Sequence, residues 1–260
     1  STDVTGAPSA TSPSATGDTT VTYQSAPQTV TYRYKRKDAA DITVHHYEVG
    51  GSTELYTPTG STTPSAQTIP GAGKLGTTVN LTNKEADIAN FEYVSTDVTG
   101  ADSATTPTAT GDTTLTHSTT AQTVIYKYRR KDAGNITVNH YEVGTTTQLY
   151  KPSGSTTPAA ENFNGTGKLG LTESLTNKAA DIDNYEFVNV NVSGASGAST
   201  PSANGDTTVT YNAGNQVVNY YYRRKNAANI TVHHYIDGTT TELYTPAGST
   251  TPSAVVIDGS

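Results

Sequence analysis

Three short patterns in this chain carry side chains able to do chemistry, and each returns at a fixed interval. Gly71-Ala72-Gly73-Lys74-Leu75-Gly76-Thr77 and its copy Gly165-Thr166-Gly167-Lys168-Leu169-Gly170 have the outline of a phosphate-cradling loop. Such a loop needs Ser or Thr directly after its Lys to hold the metal ion of a nucleotide, and Leu75 and Leu169 stand there, so the segment reads as a turn. His45-His46 and His233-His234 offer paired imidazoles. Neighbours on a strand point to opposite faces, and the middle copy has Asn139 in the first place, which leaves one imidazole per copy. That is a partly buried histidine satisfied by hydrogen bonds and not a zinc ligand, and no metal or cofactor is expected.

The third pattern is basic: Lys35-Arg36-Lys37, Arg129-Arg130-Lys131 and Arg223-Arg224-Lys225. Two chemistries are open to it. The cations can pair with nearby carboxylates such as Asp38, Asp132 or Glu142, an interaction worth little when exposed. Alternatively Arg36, Lys37, Arg130, Lys131, Arg224 and Lys225 can contact the acid groups of sialylated or sulfated glycans beside Tyr faces. Asp97, Gly100 and Asp102 hint at a calcium loop, but the matching Asn191, Gly194 and Ser196 remove the carboxylates. Lys74, Lys84 and their copies are candidates for a Lys–Asn isopeptide bond. No Ser/His/Asp order and no carboxylate pair recurs in a pocket-like context, so no catalysis is expected.

What positions these groups is a repeat. Ile42-Thr43-Val44-His45-His46-Tyr47 returns as Ile136-Thr137-Val138-Asn139-His140-Tyr141 and as Ile230-Thr231-Val232-His233-His234-Tyr235, offsets of 136 − 42 = 94 and 230 − 136 = 94. Of the 94 positions in 42–135, 55 carry the same residue in 136–229. One folding unit strung in series follows: the end of a preceding copy in 1–41, full copies in 42–135 and 136–229, and the start of a following copy in 230–260. The chain is thus expected to be part of something longer.

Composition restricts the rest. There is no Cys, Met or Trp, Thr makes up about a fifth of the 260 residues, and the apolar share is 33%. A disulfide framework and thiolate chemistry are excluded, and the profile suits an extracellular chain of thin-cored β units. A net charge of −7 disfavours nucleic acid, and no apolar run is long enough to cross a bilayer.

Within one copy, Ile136 to Val143 alternates with period two, placing Ile136, Val138 and His140 on the inner face of a strand. Leu149-Tyr150 reads as a short second strand, and Ser155-Thr156-Thr157-Pro158, matched by 61–64 and 249–252, as a loop of fixed shape. Leu175 to Ile182 reads as a short helix capped by Thr176 or Asn177, with Leu175 and Ile182 pinning it to the sheet. Tyr185 to Val188 reads as a strand and 193–205 as a Gly/Ser/Pro-rich excursion. A hairpin closes the copy, Asp206 to Tyr211 and Gln216 to Tyr222 around a four-residue turn, with Val218, Tyr220 and Tyr222 on one face. Only Asn226-Ala227-Ala228-Asn229 separates this last strand from the next copy. So short a junction forces entry and exit to opposite poles, which is met when the first and last strands lie parallel and adjacent.

The order of segments in 136–224, an Ile-Thr-Val-x-His-Tyr strand, Leu-Tyr, Gly-Lys-Leu-Gly, Asp-Asn-Tyr-Glu-Phe-Val, Asp-Thr-Thr-Val-Thr-Tyr and Gln-Val-Val-Asn-Tyr-Tyr-Tyr, resembles the MucBP (mucin-binding protein) repeats of Gram-positive surface proteins. Asn90 and Asn184 stand where that pattern usually has Gly before the aromatic. Near-identical tandem copies also resemble streptococcal stalk repeats such as the SHIRT family. Either resemblance implies a mostly β fold, α+β at most, of β-grasp-like units with one short helix each, set end to end as a rod. It also implies an adhesin on the bacterial cell wall surface, anchored to peptidoglycan outside this segment. Its role is then a stalk that gives reach or, alternatively, a multivalent array for mucin-type glycans or host glycoproteins.

Overall fold

The structure is a computed structural model that describes every residue except 8–9, 102–103 and 195–200. The chain splits into two compact units, Ser1–Arg129 and Arg130–Ser260. In the first, the strands are β1 (Thr2–Thr5), β2 (Thr29–Tyr32), β3 (Ile42–Glu48), β4 (Gln67–Ile69), β5 (Thr78–Leu81), β6 (Phe91–Thr99), β7 (Thr113–Thr116) and β8 (Gln122–Arg130). In the second they are β9 (Ile136–Glu142), β10 (Glu161–Phe163), β11 (Thr172–Leu175), β12 (Tyr185–Ser193), β13 (Thr207–Thr210), β14 (Gln216–Arg224), β15 (Ile230–Val232) and β16 (Val255–Ile257).

Each full copy builds the same pair of sheets. A four-stranded sheet has the order β4-β3-β8-β6 in one copy and β10-β9-β14-β12 in the other, and a two-stranded sheet joins β5 to β7 or β11 to β13. The first and last strands of a copy pair in parallel, an arrangement that meets the condition set by the short junction. β9 meets β14 from Ile136↔Gln216 to Glu142↔Tyr222, and β3 meets β8 from Ile42↔Gln122 to Glu48↔Tyr128. β10 flanks β9 and β12 flanks β14, both antiparallel, so neither terminal strand is an edge of the sheet. Chain entry at Ile136 and exit at Arg224 therefore lie at opposite poles of the unit.

Period-two patterning places the core where alternation predicts. Ile136, Val138, His140, Val218, Tyr220 and Tyr222 are all buried on one side of the sheet, and Leu175, Ile182 and Val209 close over them. Burial contributes roughly 1.5–3 kcal/mol for each large apolar side chain, and β-branched and aromatic residues fit the pleated surface. The copy in 42–129 repeats this core with Ile42, Val44, Val124, Tyr126, Tyr128, Leu81, Ile88 and Leu115. In the incomplete copies the same face is open: Tyr34 and Ile230 are exposed.

Four expectations need correction. The short helix is a three-residue 3-10 turn, Glu85–Asp87, in one copy and a plain turn in the other. No side chain caps that turn at Lys84; Asn83 and Asn177 instead accept the backbone N–H two residues on, from Glu85 and Ala179. The Asn177 bond is the cap expected there, on a turn too short to be a helix. Leu149-Tyr150 is not a strand; only the single bridge Tyr141↔Gln148 forms there. The second strand is β10, three residues after the 155–158 loop, in a stretch for which no strand was expected. β13 and β14 are not a hairpin either, since β13 pairs with β11 in the small sheet while β14 crosses to the large one. By contrast the 155–158 loop has the fixed shape expected, with the Ser hydroxyl donating to the carbonyl two residues on at Ser61, Ser155 and Ser249. The strand from Tyr185 runs on to Ser193 through a bulge between Phe187 and Asn189, and residues 195–200 of the following excursion lie outside the described residues.

Asn90 and Asn184, where the resembled pattern has Gly, sit at φ 66 and 63 and are the non-Gly residues at positive φ among those described. Asn is one of the few side chains that tolerates this left-handed region, so the substitution keeps the turn into the aromatic strand. Asn184→Ala is expected to destabilise the unit by about 1–2 kcal/mol in denaturant titration, whereas Asn184→Gly stays within about 0.5 kcal/mol of the parent.

Candidate functional site

The glycine loop is the lock that holds the incoming linker. Asp132 accepts the Gly167 N–H at 2.8 Å and Asn135 accepts the Gly165 N–H at 3.0 Å. Backbone bonds reinforce them: Ala133 N–H to Gly165 O, Leu169 N–H to Lys131 O and Gly134 N–H to Asn212 O. The upstream copy does the same with Asp38 on Gly73 and Asp41 on Gly71. The Gly165 and Gly167 N–H donors of the loop that has the outline of a phosphate cradle are thus taken by two side chains of the linker. Glycine is required at Gly165 because a Cβ there would lie 2.3 Å from the Gly134 carbonyl oxygen, and Gly71 faces Ala40 at the same distance.

Beneath the lock, the inner face of the parallel pair is stitched by a buried histidine. His140 lies 2.8 Å through Nδ1 from the Tyr222 hydroxyl and 3.0 Å through Nε2 from Glu161, and it stacks on Tyr220 at 5.3 Å. The Tyr222 hydroxyl also accepts the Lys178 N–H at 2.8 Å. The arrangement satisfying every partner has Tyr222 donating to Nδ1 and the histidine donating from Nε2–H to the carboxylate. In the other copy His46 repeats this with Tyr128, Lys84 and Gln67. Burial holds the His46 imidazole down to about 4, burial lowers His140 despite its bond to Glu161, and burial pushes the Tyr128 hydroxyl up to about 12. The Tyr126 and Tyr220 hydroxyls are buried and make no hydrogen bond to another protein group.

The opposite face of the sheet explains why His45 and Asn139 alternate. His45 pairs with Glu54 at 2.5 Å, His233 pairs with Glu242 at 2.5 Å, and Asn139 instead receives the Gln148 amide at 2.7 Å and donates to Asn219 at 2.8 Å. Both partners have changed together, from an ionisable pair to a neutral one. One strand over, Asp97 pairs with Lys127, while the matching Asn191 lies opposite Asn219. No group of three His, Cys, Asp or Glu side chains able to hold a metal occurs among the described residues. Asp102 and Ser196 of the calcium-loop pattern lie outside them.

The six basic residues singled out by sequence divide. Arg36 and Arg130 donate to the Leu75 and Leu169 carbonyls at 3.1 and 2.9 Å, while the Lys37 and Lys131 backbone carbonyls receive the N–H groups of the same two leucines. Arg224 lies over the Tyr185 ring at 5.4 Å and 4.0 Å from Glu142, and the Lys225 N–H binds the Asn184 carbonyl. Of the isopeptide candidates, Lys84 and Lys178 sit over Tyr56 and Tyr150, and Lys168 meets the Tyr211 hydroxyl. Sequence reasoning missed a cleft of ≈ 540 Å³ in the copy 136–229, lined by Leu149, Tyr150, Lys151, Asp181, Asp183 and Tyr185 among others. Its wall comes from two separate segments, which no local pattern links.

Set against known sequences, the MucBP domain model matches residues 8–35, 42–129 and 135–223. No curated protein matches the chain.

The buried histidine gives a pH signature. An imidazole held near 4 in the fold but near 6.5 when unfolded contributes its full stability above pH 6.5 and loses it progressively as pH falls toward 4. The loss attributable to His46 is on the order of 3 kcal/mol. In an NMR titration of the folded chain, His46 is expected to stay neutral well below pH 6; titration near 6.5 would contradict the burial reading.

Proposed function

The chain belongs to the MucBP domain family, whose domains form repeat regions of Gram-positive extracellular surface adhesins, and from that premise we propose that this segment is the stalk of such an adhesin. The observation that carries the reading is the parallel pairing of first and last strands, which sets entry and exit at opposite poles of each copy. The linker's Asp132 and Asn135 are bound by the loop of the unit they lead into, which fixes where the chain enters that unit. On this reading the repeats queue end to end as β-grasp-like beads, with the wall anchor outside the segment, and the protein is not an enzyme.

A second reading, multivalent binding of mucin-type glycans, is favoured by the cleft beside Tyr150 and Tyr185. The Asp181 and Asp183 side chains beside Tyr150 offer polar groups suited to a hydroxyl-rich ligand, and tandem copies multiply a weak contact. In this reading Arg224, stacked on Tyr185, is the basic junction residue best placed to join the contact, while the guanidinium groups of Arg36 and Arg130 serve the linker lock.

Small-angle scattering on arrays of two, three and four repeats tests the stalk. Maximum dimension is expected to grow linearly, on the order of 40 Å per repeat, from strand length plus loops. A dimension that levels off with repeat number would overturn the reading.

A further inference from the structure

We propose that each repeat is a tension-bearing element in which the parallel terminal strands, β9 with β14 and β3 with β8, are loaded in shear. The inference rests on the stalk reading for its biological setting, but its physics belongs to a single repeat. Force enters a copy through the linker at the Ile136 end of β9 and leaves through the Arg224 end of β14. The two strands run in the same direction over seven paired positions, from Ile136↔Gln216 to Glu142↔Tyr222. Pulling the ends apart therefore tries to slide one strand along the other. The ladder hydrogen bonds lie across that motion and must yield together, whereas a hairpin pulled from its open end yields one rung at a time.

Three features oppose the slide. First, both strands are interior to the sheet, flanked by β10 and β12. Second, the inner face is keyed to one register: a one-residue slip would turn Val138 and His140 to the wrong face, and a two-residue slip would carry His140 away from the Tyr222 hydroxyl that it meets at 2.8 Å. Third, the ladder continues past both ends. At the entry pole, the Gln216 N–H binds Asn135 O and the Asn135 N–H binds the Asn215 side chain at 3.0 Å. At the exit pole, the Val143 N–H binds Tyr222 O at 2.8 Å. The linker lock adds the Asp132 and Asn135 bonds upstream of β9, so tension must open them before it reaches the strand. In the copy 42–129 the same parts recur: β3 and β8 in parallel, His46 on Tyr128, and the Val49 N–H on Tyr128 O.

Single-molecule force spectroscopy tests this on the whole 260-residue chain. The chain has no Cys, so handles placed by substitution are unambiguous. Held by its two ends, it is expected to give two separate unfolding events, one per full copy. Each should release roughly 300 Å of chain, from ~3.5 Å per residue. With handles at Thr145→Cys and Lys225→Cys, both at the exit pole of 136–229, the same strand pair is peeled apart, and the unfolding force is expected to fall several-fold. Equal forces in the two geometries would overturn the proposal. The result is separable from the stalk reading: strong shear resistance in an array that scatters as a compact body would sink the stalk alone. An extended array whose repeats open equally easily in both geometries would sink the clamp alone.

Discussion

The parallel hydrogen-bonded pairing of each repeat's first strand with its last is the constraint on which the rest of the architecture depends. It closes a copy across 80 residues of sequence, from Ile136 to Gln216, and it puts the two ends at opposite poles. Everything else serves that pair. The small β11/β13 sheet carries Leu175 and Val209 over its inner face, the turn at 179–183 brings Ile182, and β10 and β12 guard its sides. A thin core of Val, Ile and Tyr suffices because a polar stitch, Tyr222 to His140 to Glu161, runs through it with each bond satisfied. Chain closure over so long a separation is costly in entropy and slow to find, so a register pinned by side chains on the inner face has a direct role in reaching one structure.

Local chemistry was legible in the sequence wherever one strand's own periodicity decided the outcome. Alternation placed Ile136, Val138 and His140 inside, and Val218, Tyr220 and Tyr222 with them. The four-residue junction pointed to entry and exit at opposite poles, a condition that the parallel, adjacent terminal strands meet. The errors lie where pairing is between distant segments. Three-residue strands such as Glu161–Phe163 have too few positions to show a period, and Thr207–Thr210 beside a short turn looked like half of a hairpin although its partner is Thr172–Leu175. The Leu175–Ile182 spacing suggested a helix; Asn177 does accept the Ala179 N–H as a cap would, but the turn stops after one winding because Asp183 and Asn184, the latter at positive φ, lead straight into the strand from Tyr185.

The candidate site was legible as a location and not as a role. The Gly-Lys-Leu-Gly segment and the basic triplets both mark the junction, and the structure joins them: Arg130 and Lys131 meet Leu169 of the very loop that resembled a phosphate cradle. What one sequence cannot display is that the loop's anion-binding N–H groups face Asp132 of the linker. The alternation of His45, Asn139 and His233 spoke against a metal site from sequence alone, and its cause becomes intelligible only once Glu54, Gln148 and Glu242 are seen to change in step. Internal repeats thus act as their own mutational series, in which a paired change marks a contact.

The most direct measurement of the central claim is a disulfide trap across the parallel pair, in a chain with no other cysteine. Thr137 and Val217 are partners in the ladder on its outer face, and the spacing of about 4.8 Å between neighbouring strands suits the Cα separation of roughly 4.4–6.8 Å that a disulfide spans. Thr137→Cys with Val217→Cys is predicted to oxidise to an intramolecular bond in the folded protein, while Thr137→Cys with Tyr221→Cys is not. Preferential crosslinking of the second pair would place the strands antiparallel or shifted, and the account of opposite poles would fail with it.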